Sequence, residues 1–220
     1  MGNEDYSARR QDSGYEGFVN LDAVSTDIEN VKKGLVSLGV REEEILIKRE
    51  ADFGVFSKLI SQELAGIAAA NWLNGQKRTF IFFYYAGHGV MRNFTKAVCN
   101  TATRPGRIEY PLEANLRELG QKHGTWVLGI FDCCRAQFES PHRGGGGGGG
   151  DDDDEDESYR NCWLTFGCKP NSTVSAVSSI ATDFFRVLNR GKRADGSIIF
   201  PHLKYQTWAP GDGGEHATLY

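Results

Sequence analysis

Residues 79–89 read TFIFFYYAGHG. The run from Thr79 to Tyr85 is apolar, rich in aromatics and free of charge, which predicts a strand buried on both faces. It ends in Ala86-Gly87-His88-Gly89, so a histidine between two glycines stands at the strand's C-terminal end. Residues 125–135, TWVLGIFDCCR, repeat the arrangement: Thr125 to Phe131 form a second apolar run, followed by Asp132-Cys133-Cys134-Arg135. Two such strands with a helix between them predict a parallel pair, whose C-terminal ends share one sheet edge. Open α/β sheets build their sites at that edge.

Outward from these strands the pattern stays α/β. Val24, Ile28, Val31, Leu35 and Leu38 are spaced as one helical face, with Gly39 just beyond its end. Residues 44–49 (EILIKR) predict a short strand. Phe56, Leu59, Ile60, Leu64, Ile67 and Leu73 predict a second helix. An irregular stretch is expected from Val90 to Glu109, then a helix from about Tyr110 to Lys122 before the cysteine strand. Cys162 to Phe166 read as a further strand, and Ile180, Phe184, Phe185, Val187 and Leu188 as a further helix. Helices alternating with strands imply a mostly parallel sheet with right-handed crossovers.

The chain has 220 residues, 40% of them hydrophobic, in keeping with one soluble domain. Its formal charge of −4 includes seven acids in a row, Asp151 to Glu157; without them the remainder carries +3. No basic patch with interleaved aromatics points to nucleic acid. No apolar run reaches the roughly 18 residues of a membrane span. The five cysteines form neither a disulfide framework nor a CxxC pair, and with no signal-peptide core the expected compartment is the reducing cytoplasm. Residues 1–17 read as a disordered N-terminus, 18–140 as the larger part of one domain, 141–160 as a flexible Gly/Asp-rich linker, and 161–220 as the smaller part of the same domain.

A thiol and a histidine at one sheet edge can carry out nucleophilic hydrolysis. The histidine serves as base and then as acid for the leaving amine. His88 is the candidate base, and Cys133 and Cys134 supply the thiol. Each motif alone has a plainer reading. GHG is a common tight turn, paired cysteines are common in cores, and Asp132 is a competent helix cap.

Together, in this order and 46 residues apart, the motifs resemble those of the caspase-like cysteine peptidase superfamily, nearer to paracaspases and metacaspases than to aspartate-specific caspases. The resemblance covers roughly Leu21 to Trp208. It implies an α/β three-layer sandwich, with helices on both faces of a mostly parallel sheet. It places Cys134 in the reactive slot with His88 as its base, and it points to the backbone N–H groups of Gly89 and Cys134 as the oxyanion hole. Strand alternation then turns Cys133 away into packing. Asp132 falls where paracaspases and metacaspases carry the acid that selects arginine or lysine before the cleaved bond, a carboxylate–guanidinium pairing.

One departure stands out. Such domains open with a central apolar strand, and the chain before Leu21 is polar, so the first strand is expected to be missing. The implied function is a cysteine-type endopeptidase acting on proteins or peptides after Arg or Lys. Arg143 and Arg160, bordering the linker, are the candidates for self-cleavage. The alternative is a catalytically silent interaction module on the same fold. No cofactor is required by the motifs. Many metacaspases are activated by calcium, which makes Ca2+ a candidate at the acidic run, although adjacent acids do not by themselves make a calcium loop. Cys162, Cys168, His202 and His216 fit no zinc spacing. Oligomeric state is not legible.

Overall fold

The computed structural model describes residues 1–7, 18–76, 78–91, 93–100, 108–122, 124–134 and 161–167. These form a mixed α/β fold with two three-stranded sheets. In the first, β1 (Thr79–Gly87), β5 (Thr125–Cys133) and β6 (Cys162–Phe166) lie in the order β1-β5-β6, all parallel. In the second, β2 (Gly89–Met91), β3 (Thr95–Val98) and β4 (Glu109–Tyr110) are antiparallel. This second sheet replaces part of the irregular stretch expected from Val90 to Glu109.

Helices α1 (Val24–Ser37) and α4 (Leu112–Gly120) fall where the apolar spacing places them. Residues 53–73 form one continuous helical run: α2 (Phe53–Lys58), a π-helical stretch (Leu59–Leu64) and α3 (Ala65–Leu73). Asp52 starts that run by accepting a hydrogen bond from Val55 N at 2.8 Å, satisfying one of the helix's orphan amides.

Strand alternation on β1 sorts the core into two layers. Ile81, Phe83 and Tyr85 face Phe56, Leu59 and Ile60, together with Leu112, Leu116 and Leu119 of α4. Tyr84 and Ala86 face Val24, Ile28 and Val31 of α1. Helices therefore pack on both faces of the parallel sheet. Buried Glu113 ties α4 to the second sheet: it accepts from Thr95 N on β3 at 2.8 Å and pairs with Arg117, one turn along α4, at 3.0 Å.

The N-terminus departs from expectation. Residues 1–7 are not disordered: Met1, Asn3 and Tyr6 are buried. Met1 to Asn3 lie in extended form beside β1, and Gly2 bridges Ala86 on one side and Arg49 on the other, both in parallel. Met1 N donates to Tyr84 O (2.8 Å), Ala86 N to Met1 O (3.1 Å) and Asn3 N to Ala86 O (3.0 Å). On the far side Gly2 N donates to Lys48 O and Glu50 N to Gly2 O. A three-residue segment thus holds a strand position that the polar sequence before Leu21 does not advertise. Gly2 is needed there, because a Cβ would stand 2.5 Å from Val24 Cγ1 and 2.6 Å from Ile28 Cδ1. The strand expected over 44–49 does not form a ladder. Glu42–Glu44 make a 3-10 turn, and only Arg49 enters a bridge. The linker and the helix around Ile180 lie outside the described residues.

Candidate active site

β1 and β5 pair in parallel register through Ala86↔Asp132 and Gly87↔Cys133. His88 and Cys134 are the next residues out on these two neighbouring strands, so one sheet edge carries both. No hydrogen bond joins their two side chains.

His88 is buried, and its main chain is held at both ends. Its N–H donates to the Tyr6 hydroxyl (2.8 Å), while its carbonyl accepts from the Tyr85 hydroxyl (2.8 Å) and from Val98 N (2.9 Å). Its ring packs against both Tyr6 and Phe18, with centroids 4.5 Å away in each case. Nε2 lies 2.8 Å from Val19 O. Burial lowers the imidazole pKa below its ordinary value, partly offset by the Val19 carbonyl, and so favours the neutral ring a general base requires.

Gly87 makes the tight approach possible. Its φ is +154°, and a Cβ there would stand 2.5 Å from the Tyr85 hydroxyl and 2.7 Å from that of Tyr6. Burial pushes both phenols far above their ordinary pKa.

The vicinal cysteines separate as strand alternation requires. Cys133 is buried, whereas Cys134, the first residue beyond β5, is half-buried. Gly89 packs directly on this corner: a Cβ would stand 2.7 Å from Cys133 Sγ and 2.5 Å from Cys134 O. His88 and Val90 occupy hydrogen-bonded positions facing β3, so the Gly89 N–H between them points away from that strand.

Asp132 is half-buried, and its Oδ2 accepts from the Tyr84 hydroxyl at 3.3 Å. Gly167, just after β6, comes close to the other carboxylate oxygen; a Cβ there would stand 3.2 Å from Oδ1. His88, Gly89, Asp132 and Cys134 thus share one end of the sheet. Arg143 and Arg160 lie outside the described residues. So does the acidic run, and among the described residues no group of His, Cys, Asp or Glu is arranged to hold a metal ion. No described helix is long and apolar enough to cross a membrane.

Sequence reasoning missed the residues that enclose His88: Tyr6, Phe18 and Val19. The available signal was Tyr6 and Phe18, two of the three aromatics in the mostly polar stretch before Leu21. Tyr84 stands in an apolar run, yet its hydroxyl reaches the Asp132 carboxylate on the neighbouring strand. Neither a family model nor a curated protein sequence matches the chain.

Proposed function

We propose that this chain is a caspase-like cysteine endopeptidase that cleaves peptide bonds after arginine or lysine, with Cys134 as nucleophile and His88 as base. One observation carries the reading. The histidine and the half-buried thiol extend from the ends of two register-paired parallel strands, with Asp132 one step inside. In the proposed reaction Cys134 Sγ attacks the scissile carbonyl and His88 takes the thiol proton. The same imidazole then returns that proton to the leaving amine, and water releases the acyl group. The Gly89 and Cys134 N–H groups are assigned to the developing oxyanion. Asp132 is assigned to the guanidinium or ammonium of the residue before the cut.

The silent-module reading draws on a different observation: His88 is enclosed by Tyr6 and Phe18, and its Nε2 is engaged by Val19 O. Purified protein is assayed with fluorogenic peptides ending in arginine, lysine or aspartate, with and without calcium, beside Cys134→Ala. Turnover of the basic peptides that disappears in the variant supports the peptidase. Preference for aspartate overturns the specificity. No turnover of any peptide favours the silent module.

A further inference from the structure

Among the described residues Glu50 is the one non-glycine residue with a positive φ, +50°. Side chains rarely adopt this left-handed backbone, and such an outlier persists where its surroundings demand it. Here the surroundings are the N-terminal segment. Glu50 N donates to Gly2 O at 3.0 Å. The next residue, Ala51, exchanges hydrogen bonds with the Asn3 side chain: Ala51 N donates to Oδ1 (2.6 Å), and Nδ2 donates to Ala51 O (3.0 Å). Nδ2 of Asn3 also donates to Val98 O on β3 at 3.1 Å.

The Glu50 side chain continues the grip. It is exposed, yet its carboxylate is held by amides. Oε1 accepts from Glu4 N at 3.0 Å and Asp5 N at 3.3 Å, and Oε2 accepts from Asp5 N at 3.3 Å and Asn100 Nδ2 at 2.6 Å. Two successive main-chain N–H groups make a small anion-binding concavity, which the carboxylate fills. Buried Asn100, just past β3, anchors its other side.

Residues 4 and 5 lead straight into the enclosure of His88. Tyr6 follows them, its hydroxyl accepting from His88 N and its ring against the imidazole. Glu4 O accepts from Leu21 N at 3.0 Å, and Tyr6 N donates to Asn20 Oδ1 at 3.0 Å. These two bonds fasten residues 18–21, which bring the Phe18 ring and the Val19 carbonyl to the same imidazole. At the β3 side of the clamp, Val98 N donates to His88 O. Both sides of the clamp therefore end at His88.

We propose that Glu50 is a positioning residue for His88: its carboxylate sets residues 4–6 and 18–21 in place, and through them the tautomer and the solvent cover of the imidazole. The consequence for turnover rests on the reading of His88 as the base; the consequence for the ring does not.

The test uses the full 220-residue chain with three replacements. Glu50→Asp keeps the charge and suits a positive φ, but its shorter arm falls short of the amides. Glu50→Gly suits the backbone better still and removes the arm. Glu50→Gln keeps both the reach and an acceptor. The first two relieve backbone strain, so an effect in them is not a strained fold. The His88 ring is followed by NMR titration, beside amide exchange and kinetics on an arginine peptide. In Glu50→Asp and Glu50→Gly the His88 pKa is expected to rise toward 6.5, and the Nε2–H tautomer to lose its predominance. Amide exchange at residues 4–6 and 21 is expected to quicken about tenfold. On the peptide, kcat should fall about tenfold with KM little changed, because Asp132 stands outside the clamp. Glu50→Gln should stay close to wild type in every readout. An unchanged His88 titration in folded Glu50→Asp and Glu50→Gly overturns the proposal, whatever the peptide assay shows. A ring moved as far by Glu50→Gln as by Glu50→Gly overturns it too, because the reach of the side chain would then not matter. A moved ring with undiminished turnover overturns the positioning role. A wild type without turnover removes the peptidase reading alone, and the ring titration still decides the role of Glu50.

Discussion

The Nε2 atom of His88 lies 2.8 Å from the carbonyl oxygen of Val19. A carbonyl only accepts, so Nε2 carries the proton and Nδ1 holds the lone pair. The same contact fixes the tautomer and caps one side of the ring, while Tyr6 and Phe18 pack against it.

Removing that cover is expected to move the imidazole's titration. Burial holds the His88 pKa below 6.5, so the folded state binds fewer protons than the unfolded one around that pH. Stability tied to this group is thus present above pH 6.5 and lost as pH falls through 6.5 toward the folded value. The titratable group packed edge-on against the ring is the Tyr6 phenol, which burial keeps neutral throughout. Phe18→Ala should raise the His88 pKa toward 6.5 and flatten this slope, read by NMR titration of the ring protons. An unchanged pKa would show that the Phe18 ring does not control access to the imidazole.

The two thiols should separate cleanly. In the folded protein, iodoacetamide is expected to modify Cys134 far faster than the buried Cys133, measured by peptide mapping. Cys134→Ala should abolish hydrolysis with little change in melting. Cys133→Ala removes a side chain packed against Gly89 and should cost about 1–2 kcal/mol of stability while retaining most activity. Equal loss of activity in both variants, each still folded, would remove the nucleophile assignment.

The apolar runs made β1 and β5 legible, including their parallel pairing, because a strand buried on both faces leaves an uninterrupted signature. Helix α1 was legible from Val24, Ile28, Val31, Leu35 and Leu38 on one face. Met1 to Asn3 were not, since three residues carry no period and their strand position comes from the walls that flank them. The β2-β3-β4 sheet escaped for a similar reason: its strands span two to four residues, too short for alternation to emerge. The candidate site divides the same way. His88, Asp132 and Cys134 could be read from strand ends, whereas the enclosure of His88 comes from Tyr6 and Phe18, isolated aromatics far from β1 in sequence.

Asp132 is expected to govern selectivity more than stability. It is half-buried and accepts from the Tyr84 hydroxyl. Asp132→Asn keeps the shape and the acceptor while removing the charge, so turnover of arginine peptides should fall at least a hundredfold, equivalent to about 3 kcal/mol of transition-state stabilisation. The melting midpoint should move by only a few degrees. Tyr84→Phe, which removes only the donor, should leave arginine preference intact. A wild type that turns over arginine peptides no better than Asp132→Asn would remove the carboxylate from substrate recognition.

Gly87 should tolerate no side chain. Its φ is positive, and a Cβ there would meet both tyrosine hydroxyls within 2.7 Å, so Gly87→Ala combines backbone strain with a clash at the Tyr6–Tyr85 pair. A loss of at least about 2 kcal/mol is expected by denaturant unfolding. Tyr6→Phe provides the comparison: it deletes the hydroxyl that accepts from His88 N without adding bulk, and should cost about 1 kcal/mol. If Gly87→Ala costs no more than Tyr6→Phe, the glycine is not what permits this close approach.

The last prediction concerns the amine of Met1, in protein that retains this residue with a free amino group. Burial, reinforced by the positive charge of Arg49, lowers its pKa from 8.0 to about 5. A base with a depressed folded pKa binds fewer protons folded than unfolded between these values, so stability should rise from pH 5 to pH 8. The full difference across that window is on the order of 3 kcal/mol. His88 contributes a slope of the same sign, which calls for a matched control. Acetylation of the Met1 amine keeps one N–H to donate to Tyr84 O and removes the titration. Urea unfolding at pH 5 and pH 8 should therefore show a smaller pH dependence in the acetylated protein, with its main gain in stability at pH 5. Equal pH dependence in the two forms would mean that this amine is not buried against β1 in solution.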